Sequence, residues 1–313
     1  MKKLFWLWLL LAGAPAAAQP NVVRIVVPFA AGGVQDIVAR SISAELGAAL
    51  GRGVIVENRP GAGGTVGTGS VAKAAPDGAT LILSAASHTI AGSLYSKLAY
   101  DPIADFTGVA HIGSVDYVLM IHADVPANSV KDFVLYLKQN PGKLNYASAG
   151  NGSATHLSMA YFCGLAGVEM VHIPFKATGE AVNEVLAGRA HAVIAANIGA
   201  LPYVKDSRVR MLGATGAQRS KFLPDLPAVA ESLAGYEFDS WIAILAPAAT
   251  PRPVVEQLNA AVAGLLRDPV ILGRLDKQGV VPQAMTPDAL NALLRADFQK
   301  MARVVKASGA RID

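Results

Sequence analysis

The chain has 313 residues, a formal net charge of +4, one cysteine and 52% hydrophobic residues. This length is sufficient for two domains, each with its own hydrophobic core. Without Lys2 and Lys3, which precede an apolar N-terminal segment, 25 basic residues remain against 23 acidic ones, a net charge of +2. So small an excess, with no basic run, gives no reason to expect nucleic acid or a membrane surface as a partner.

The N-terminus has the three parts of a secretory signal peptide. Met1-Lys2-Lys3 is positively charged, Leu4 to Leu11 is unbroken apolar sequence, and Ala16-Ala17-Ala18 provides an A-x-A cleavage site. The apolar segment is shorter than the roughly 20 residues that span a bilayer, so a transmembrane anchor is the weaker alternative. We therefore predict that residues 1–18 are a cleaved signal peptide.

After this segment, predicted strands and helices alternate along the chain. Ile25–Val27 is a β-branched run, and Gly32-Gly33 separates it from a helical pattern that ends at Gly51. Further predicted strands are Val54–Val56, Thr80–Leu83 and Leu144–Ser148, and further predicted helices are Val130–Gln139 and the segments from Val254 to Lys306. Such alternation predicts a mostly parallel sheet with helices on both faces and a ligand at the carboxyl ends of the strands.

Two glycine-rich loops each lead from a strand into a helix, and we call residues 28–36 the first loop and residues 148–156 the second loop. Free N–H groups at a helix N-terminus bind anions without a basic side chain. The pair of loops therefore predicts a carboxylate site, although the second could be only a capped helix start. Ser153 or Thr155 either caps that helix or donates to the anion, and His156 is equally compatible with a structural hydrogen bond and a ligand contact.

Two long apolar runs, Val115–His122 and Phe238–Leu245, suggest that the chain crosses between domains twice. On this interpretation residues 19–120 and 244–313 form a discontinuous first lobe, and residues 121–243 form a second lobe. The alternative is that both runs are ordinary strands of one large sheet. Cys163, the only cysteine, lies in the apolar segment Tyr161–Leu165, so we predict a buried core residue and not a catalytic thiol.

Seven motifs follow one another along the chain: V-P-F-A-A-G-G-V-Q-D-I-V-A-R (27–40), V-E-N-R-P-G-A-G-G-T-V-G (56–67), L-Y-S-K-L-A-Y-D-P-I-A-D-F-T (94–107), P-G-K-L-N-Y-A-S-A-G-N-G-S-A-T-H-L (141–157), V-H-I-P-F-K (171–176), L-P-D-L-P-A-V-A-E (223–231) and S-W-I-A-I-L-A-P-A-A-T-P (240–251). In this order they resemble the periplasmic solute receptors of tripartite tricarboxylate transporters, the Bug (Bordetella uptake gene) family. The matches cover essentially the whole chain after the signal peptide. This resemblance is far more specific than either glycine loop alone.

The resemblance implies an α/β fold of the type II periplasmic binding-protein class, with two Rossmann-like lobes and a hinged cleft that closes on a small carboxylate. It also implies that both loops hold one ligand carboxylate. The residues that correspond to this role are Phe29, Ala31, Gly32, Gly33, Gln35 and Asp36 in the first loop and Ser148, Ala149, Asn151, Gly152, Ser153 and His156 in the second. Asp36 is better suited to bracing its own loop amides than to contacting an anion. Ser87, His88 and Thr89 are candidates for contacts with the far end of the ligand.

The chain departs from the family pattern at positions that bear on the ligand. Ala31 stands where the family usually has proline, so the first loop is expected to be less rigid. The frequent I-N-P after the third strand reads Ile90-Ala91-Gly92. Ala195, with Asn197 nearby, replaces the usual acidic residue. If that position faces the pocket, a ligand ammonium has no partner, which weakly disfavours an amino acid as the ligand.

The sequence therefore predicts a periplasmic receptor that binds a dicarboxylate, tricarboxylate or aromatic carboxylate and delivers it to the membrane subunits of a transporter. It predicts no cofactor, no metal and a monomer. A receptor that signals to a membrane sensor is the alternative. An exported hydrolase is a weaker one, because the chain has no G-x-S-x-G, H-E-x-x-H or G-x-x-x-x-G-K-[ST] motif.

Overall fold

The computed structural model describes residues 22–310, so the predicted signal peptide lies outside the described residues. The strands are β1 (Val22–Val27), β2 (Gly53–Asn58), β3 (Thr80–Ala85), β4 (Phe106–His122), β5 (Asn145–Ser148), β6 (Val171–Pro174), β7 (Ala192–Ala196), β8 (Val209–Ala214), β9 (Asp239–Pro247) and β10 (Val280–Pro282). The α-helices are α1 (Val34–Leu50), α2 (Thr65–Ala72), α3 (Ser87–Leu94), α4 (Val130–Gln139), α5 (Ala154–Ala166), α6 (Thr178–Leu186), α7 (Asn197–Ala200), α8 (Arg252–Leu265), α9 (Pro269–Lys277) and α10 (Pro287–Ser308). Three short 3₁₀ turns lie at Ala62–Gly64, Leu201–Tyr203 and Val229–Glu231.

The ten strands form one sheet with two halves that strand β4 connects. The order is β2-β1-β3-β9-β4-β7-β5-β6, and β8 and β10 also pair with β4. Residues Phe106–Asp116 of β4 pair with β9, whereas Tyr117–His122 pair with β7 and β8. We call the part with β1, β2, β3, β9 and β10 the first half, and the part with β5 to β8 the second half.

The sheet is mixed, so the prediction of a mostly parallel sheet is wrong. Strands β1, β2 and β3 pair in parallel, as do β5, β6 and β7. Strands β4 and β9, however, pair antiparallel with every neighbour they have. The physical reason is connectivity, because β4 takes the chain out of the first half and β9 brings it back in the opposite direction.

Strand β9 bears on where the predicted lobes meet. It begins at Asp239, which lies opposite Asp116 of β4, and its remaining residues pair with β3 and β4. Residues 239–243 therefore belong to the sheet of the first half. The division into lobes stays a proposal, and this pairing moves the proposed return crossing to just before Asp239.

Apolar residues at helical spacing explain how the helices pack on the sheet. Val38, Ile42 and Leu46 form the buried stripe of α1, and Gly51 ends this helix with a left-handed backbone. Helix α10 contacts both α3 of the first half and α5 of the second half. Cys163 on α5 is half-buried and packs against the core, and burial raises the pKa of its thiol to about 12. Such a thiol is a poor nucleophile.

Within residues 22–310, no helix combines the length and the apolar composition needed to cross a membrane.

Candidate functional site

A cavity lies between the two halves of the sheet, at the carboxyl ends of strands from both halves. We call it the inner cavity, and its volume is about 30 Å³. Its walls are Phe29, Gly33, Val34, Gln35, Ala85, Ser87, Val115, Tyr117, Ala149, Ser153, Ala154, Thr155, Ala177, Thr178, Ala196, Ser240 and Ile242. None of these side chains carries a formal charge at neutral pH.

Three of the helices that begin at the inner cavity, α1, α5 and α6, have first-turn residues in its wall. The first N–H groups of a helix have no intrahelical acceptor. Gly33 and Ala177, which precede α1 and α6, also supply no side chain that caps these groups. Helix α5 is capped, since Ser153 Oγ accepts from the N–H of His156. The N–H groups of Ala154 and Thr155 remain without an intrahelical acceptor. These three helix N-termini therefore offer N–H donors to the inner cavity without any cationic side chain, and two of them also carry a carboxylate in the first turn, Asp36 in α1 and Glu180 in α6.

Polar side chains supply further donors to the inner cavity. The side chains of Ser87, Thr178 and Gln35 line it, and Ser87 makes no side-chain hydrogen bond with another described residue. Burial raises the pKa of Tyr117 to about 12, so its phenol stays protonated and is able to donate. Ser240 Oγ accepts from the N–H of Ala86 at 3.0 Å, which ties strand β9 to the start of α3.

Asp36 holds the first loop in shape from inside the protein. Its carboxylate accepts from the N–H of Gly32 at 2.9 Å, from Arg40 Nε at 2.8 Å and from Asn58 Nδ2 at 3.0 Å. Asn58 Nδ2 also donates to the carbonyl oxygen of Phe29 at 3.0 Å. Asp36 is 4% exposed and does not line the inner cavity. Its role in the structure is therefore to brace the loop.

The second loop is braced by hydroxyl groups. Thr155 Oγ1 accepts from the N–H of Ala149 at 2.8 Å, and Ser148 Oγ accepts from the N–H of Gly150 at 3.1 Å. Ser148 Oγ also lies 2.6 Å from His172 Nε2. These contacts fix the backbone that forms one wall of the inner cavity.

Two stacked histidines lie behind the second loop. The ring centroids of His156 and His172 are 4.1 Å apart, and that of Tyr146 lies 4.9 Å from His172 and 6.4 Å from His156. His156 Nδ1 accepts from the N–H of Gly152 at 3.2 Å. Burial lowers the pKa of His156 to about 4, and burial together with the neighbouring His156 lowers that of His172 to about 3. Both rings are therefore neutral at pH 7, and His156 has a structural hydrogen bond and does not line the cavity.

A second, outer cavity opens beside the inner one, and we call it the mouth. Its volume is about 440 Å³. It is lined by Phe29, Pro60, Gly61, Ala62, Gly63, Gly64, Ala149, Gly150, Asn151, Phe175 and Lys176. Phe29 and Ala149 line both cavities and so separate them.

The structure divides the predicted site residues into three groups. Phe29, Gly33, Gln35, Ser87, Ala149 and Ser153 line the inner cavity, and Asn151 lines the mouth. Ala31, Gly32, Asp36, Ser148, Gly152 and His156 belong to the two loops but do not line the inner cavity. The third group, His88, Thr89, Ala195 and Asn197, lies away from the cleft, and Thr89 is fully buried with its Oγ1 2.6 Å from Asp297 Oδ2. Direct ligand contact by residues of the first group stays a prediction.

The placement of His88 in the cleft is corrected by the structure. Its ring packs edge-on against Phe106 at 4.8 Å, and its Nε2 lies 2.7 Å from the carbonyl oxygen of Pro102. It is 1% exposed, and burial lowers its pKa to about 4. The short helix α3 turns Ser87 toward the cavity and His88 into the core.

Ala195 and Asn197 are corrected in the same way. Ala195 belongs to an apolar cluster with Val182 and Val185, and its neighbour Ala196 lines the inner cavity instead. Alternate residues of a strand face opposite sides, so a shift of one residue exchanges the two positions. Asn197 is fully buried, with its Nδ2 3.3 Å from Ser220 Oγ. Ala195 therefore gives no reason to disfavour an amino acid as the ligand.

The sequence reasoning missed Tyr117, Thr178, Ala196 and Ser240. Thr178 begins the helix that follows the V-H-I-P-F-K motif, and this start was a readable signal for a third helix N-terminus. Tyr117 and Ser240 reach the cavity only through the long-range pairing of β4 with β9, which no local pattern indicates. Among residues 22–310 no cluster of three His, Cys, Asp or Glu side chains is arranged to hold a metal.

Comparison with known proteins identifies the family. The sequence profile of the tripartite tricarboxylate transporter family receptor matches residues 38–310. The chain belongs to this receptor family. BugT of Bordetella pertussis (strain Tohama I) is 32% identical over 93% of this chain and 90% of its own length. A protein from the tcbD-tcbE intergenic region of Pseudomonas sp. (strain P51) is 33% identical over 90% of this chain and 84% of its own.

Solved structures give the same result for the fold. The periplasmic binding protein BugD has a TM-score of 0.86 and 34% identity, over 93% of this chain and 98% of its own. Rpa4515 of R. palustris, solved with adipate, has a TM-score of 0.88 and 33% identity, over 94% and 99%. MatC of Rhodopseudomonas palustris, solved with malate, has a TM-score of 0.85 and 34% identity, over 91% and 98%. The predicted periplasmic binding-protein fold is confirmed, and the family is one of solute receptors and not of enzymes.

Proposed function

We propose that this family member is an extracytoplasmic receptor that binds a small carboxylate in the inner cavity and delivers it to the membrane subunits of a tripartite tricarboxylate transporter. The observation that carries the proposal is the convergence of three helix N-termini on a cavity without charged side chains. The adipate and malate bound by two structural neighbours support a carboxylate as the ligand class.

The N–H donors at the inner cavity are numerous enough to account for the binding free energy of a solute receptor. A hydrogen bond to a charged group contributes about 1.5–3 kcal/mol. The N–H groups of Val34, Gln35, Ala154, Thr155 and Thr178 all lie in the first turns of their helices. A micromolar dissociation constant corresponds to about −8.2 kcal/mol, so a few of these donors, aimed at one carboxylate, reach that range.

Binding requires the two halves to move apart. The inner cavity, about 30 Å³, has room for only one or two water molecules. The chain crosses between the halves at β4 and again just before β9, and rotation there would open the cleft. On this proposal, ligand shifts the population toward the closed form, and the membrane subunits recognise that form.

The predicted signal peptide places the receptor in the periplasm, where it would work as a monomer without a cofactor. The division into two lobes, with the return crossing near Asp239, supplies the hinge.

The test is thermal unfolding of the secreted form, predicted to begin at Gln19, with carboxylates and their uncharged amides. The protein is unfolded and refolded first, so that a retained native ligand does not mask binding. A ligand at about 100 times its dissociation constant should stabilise by roughly 2.7 kcal/mol, a shift of a few degrees. A carboxylate should shift the melting temperature and its amide should not. Equal shifts with both would contradict the proposal.

The variant Gly33→Val tests whether the ligand-induced shift in melting temperature comes from binding in the inner cavity. Gly33 has φ −77° and ψ 168°, an extended backbone that valine adopts readily. A Cβ atom there meets only the carbonyl oxygen of Ala30, at 3.5 Å, an ordinary contact. The variant should therefore fold and lose the carboxylate response, because its side chain occupies the cavity wall.

A further inference from the structure

The inner cavity and the mouth together form a two-part pocket that Phe29 and Ala149 divide. The inner part is small and has the helix N-termini, whereas the mouth is larger and is lined by glycine-rich segments of both halves. An elongated ligand with one end in the inner cavity would therefore place its other end in the mouth.

The charges in this two-part pocket are few. Of all the residues that line the inner cavity or the mouth, Lys176 is the only one with a formally charged side chain. It follows strand β6, on the exposed segment before α6. Its ammonium makes no ion pair with another residue in the described part of the chain. The carboxylate of Glu180 on α6 accepts from the backbone N–H of Lys176 at 3.1 Å.

Gly64, which precedes α2, lines the mouth, whereas the N-termini of α1, α5 and α6 lie at the inner cavity. Their favourable effect on an anion falls off within the first turn of a helix, so it acts on a group at the bottom of the pocket. A second carboxylate in the inner cavity would lie close to the first and repel it. A second carboxylate in the mouth is beyond the N-termini of α1, α5 and α6, and the one full positive charge in the lining there is Lys176.

We propose that Lys176 pairs with a second, outward-facing carboxylate of an elongated ligand, so that the receptor selects dicarboxylates over monocarboxylates. This inference rests on the proposed function of the inner cavity. It assigns Lys176 to specificity, and it leaves the inner carboxylate to the helix termini.

The experiment compares each α,ω-dicarboxylate from succinate to pimelate with its own monoamide by titration calorimetry. The two members of a pair have the same length and nearly the same shape but differ by one charge, because an uncharged amide replaces one carboxylate. The proteins are the wild type, Lys176→Gln and the control Lys131→Gln, whose lysine is exposed on α4 and lines neither cavity. Thermal unfolding of each variant without ligand checks that it is folded.

For at least one chain length, the wild type should bind the dicarboxylate about fivefold more tightly than its monoamide, the range for a solvent-exposed ion pair. Lys176→Gln should remove this preference by weakening the dicarboxylate alone, and Lys131→Gln should retain it. The preference of the wild type should also shrink as salt is raised.

The failures of the two proposals are distinguishable. If Lys176→Gln weakens both members of a pair equally, or neither, the specificity role is wrong while carboxylate binding stands. If the wild type binds every monoamide as tightly as its dicarboxylate, the specificity role of Lys176 is likewise wrong and carboxylate binding stands. A wild type that binds no member of any pair overturns the specificity role, and if it also fails with the wider carboxylate set above, the proposed function fails too.

Discussion

The phenol oxygen of Tyr95 lies 3.2 Å from the backbone carbonyl oxygen of Asn151, and this contact joins the two halves across the mouth. The same phenol lies 2.8 Å from the carbonyl oxygen of Ala62 in its own half. Between them, Gly63 lies so close to the second loop that a Cβ atom would overlap the Asn151 carbonyl oxygen. These contacts need both halves in place, so they belong to a closed cleft.

The first prediction concerns Tyr95→Phe. The substitution removes the cross-half hydrogen bond but keeps the ring, so the closed form should lose about 0.5–1.5 kcal/mol. Ligand affinity should fall roughly two- to tenfold, mainly through faster dissociation, because closure retains the ligand. Stopped-flow release of a bound carboxylate measures this rate.

Tyr161→Phe is the matched control for that variant. Tyr161 donates to the carbonyl oxygen of Gly235 at 2.9 Å, away from both cavities. The variant Tyr161→Phe should reduce stability by a similar amount and leave the rate of carboxylate release unchanged. Equal release rates in Tyr95→Phe and the wild type would show that the contact does not control closure.

The second prediction concerns Gly63→Ala. Gly63 has φ +63°, and an added Cβ would overlap Asn151 and lie 2.9 Å from the Tyr95 hydroxyl. Gly142 has a similar φ, +66°, but an added Cβ meets nothing within 4 Å. Both alanine variants should lose about 1–2 kcal/mol from the left-handed backbone. Only Gly63→Ala should also lose ligand affinity, measured by calorimetry, and an equal loss in Gly142→Ala would contradict this.

The third prediction concerns Asp36→Asn. The amide keeps the size of the carboxylate but loses the charge that accepts from Gly32, Arg40 and Asn58. Denaturant unfolding should show a loss of about 1–3 kcal/mol. Carboxylate affinity should also fall, because the first loop is less well fixed.

Asp77→Asn is the control for the first-loop variant. Asp77 accepts from the N–H of Ala79 at 2.8 Å in an exposed turn that lines neither cavity. Its replacement should change stability only slightly and leave affinity intact. If Asp36→Asn binds carboxylates as the wild type does, the brace is not needed for binding.

The sequence predicted the two loops well because their signals are local. A strand, two glycines and a helical pattern follow one another within residues 25–40, and the structure has β1, a loop and α1 there. The same holds for Asn145–Ser148 and α5. Gly51 was readable as a helix end for the same reason, since a left-handed terminus favours glycine.

The side chains at the cleft were harder to predict, because their placement depends on contacts that are distant in sequence. Ala195 and Ala196 are chemically identical, and only the register of β7 against β4 decides which faces the cavity. His88 was misplaced because its core partners Phe106 and Trp241 come from other elements. The antiparallel pairing of β4 and β9 had no local signal either, and so Tyr117 and Ser240 were missed.

The last prediction concerns the effect of pH on stability. In the unfolded chain His156 takes up a proton near its ordinary pKa of 6.5, whereas in the folded protein burial lowers its pKa to about 4. Between these values the unfolded state binds more protons, so the free energy of unfolding should fall as the pH decreases from 6.5 toward 4. For His156, which is 8% exposed, the loss is on the order of 2–3 kcal/mol. Above pH 6.5 this group should have no effect.

His156→Asn separates this contribution from the others. The asparagine Oδ1 is able to replace Nδ1 as the acceptor for the N–H of Gly152, but it takes up no proton. Denaturant unfolding from pH 7 to pH 4.5 should therefore show a shallower loss of stability in the variant, with carboxylate affinity retained at pH 7. His88, with a pKa also lowered to about 4, contributes equally to both proteins, whereas His172 loses in the variant the neighbouring imidazole that helps to lower its pKa, so its contribution also becomes smaller. An identical pH dependence in the two proteins would mean that burial does not lower the pKa of His156. A loss of carboxylate affinity at pH 7 in the variant would show that the imidazole itself contacts the ligand.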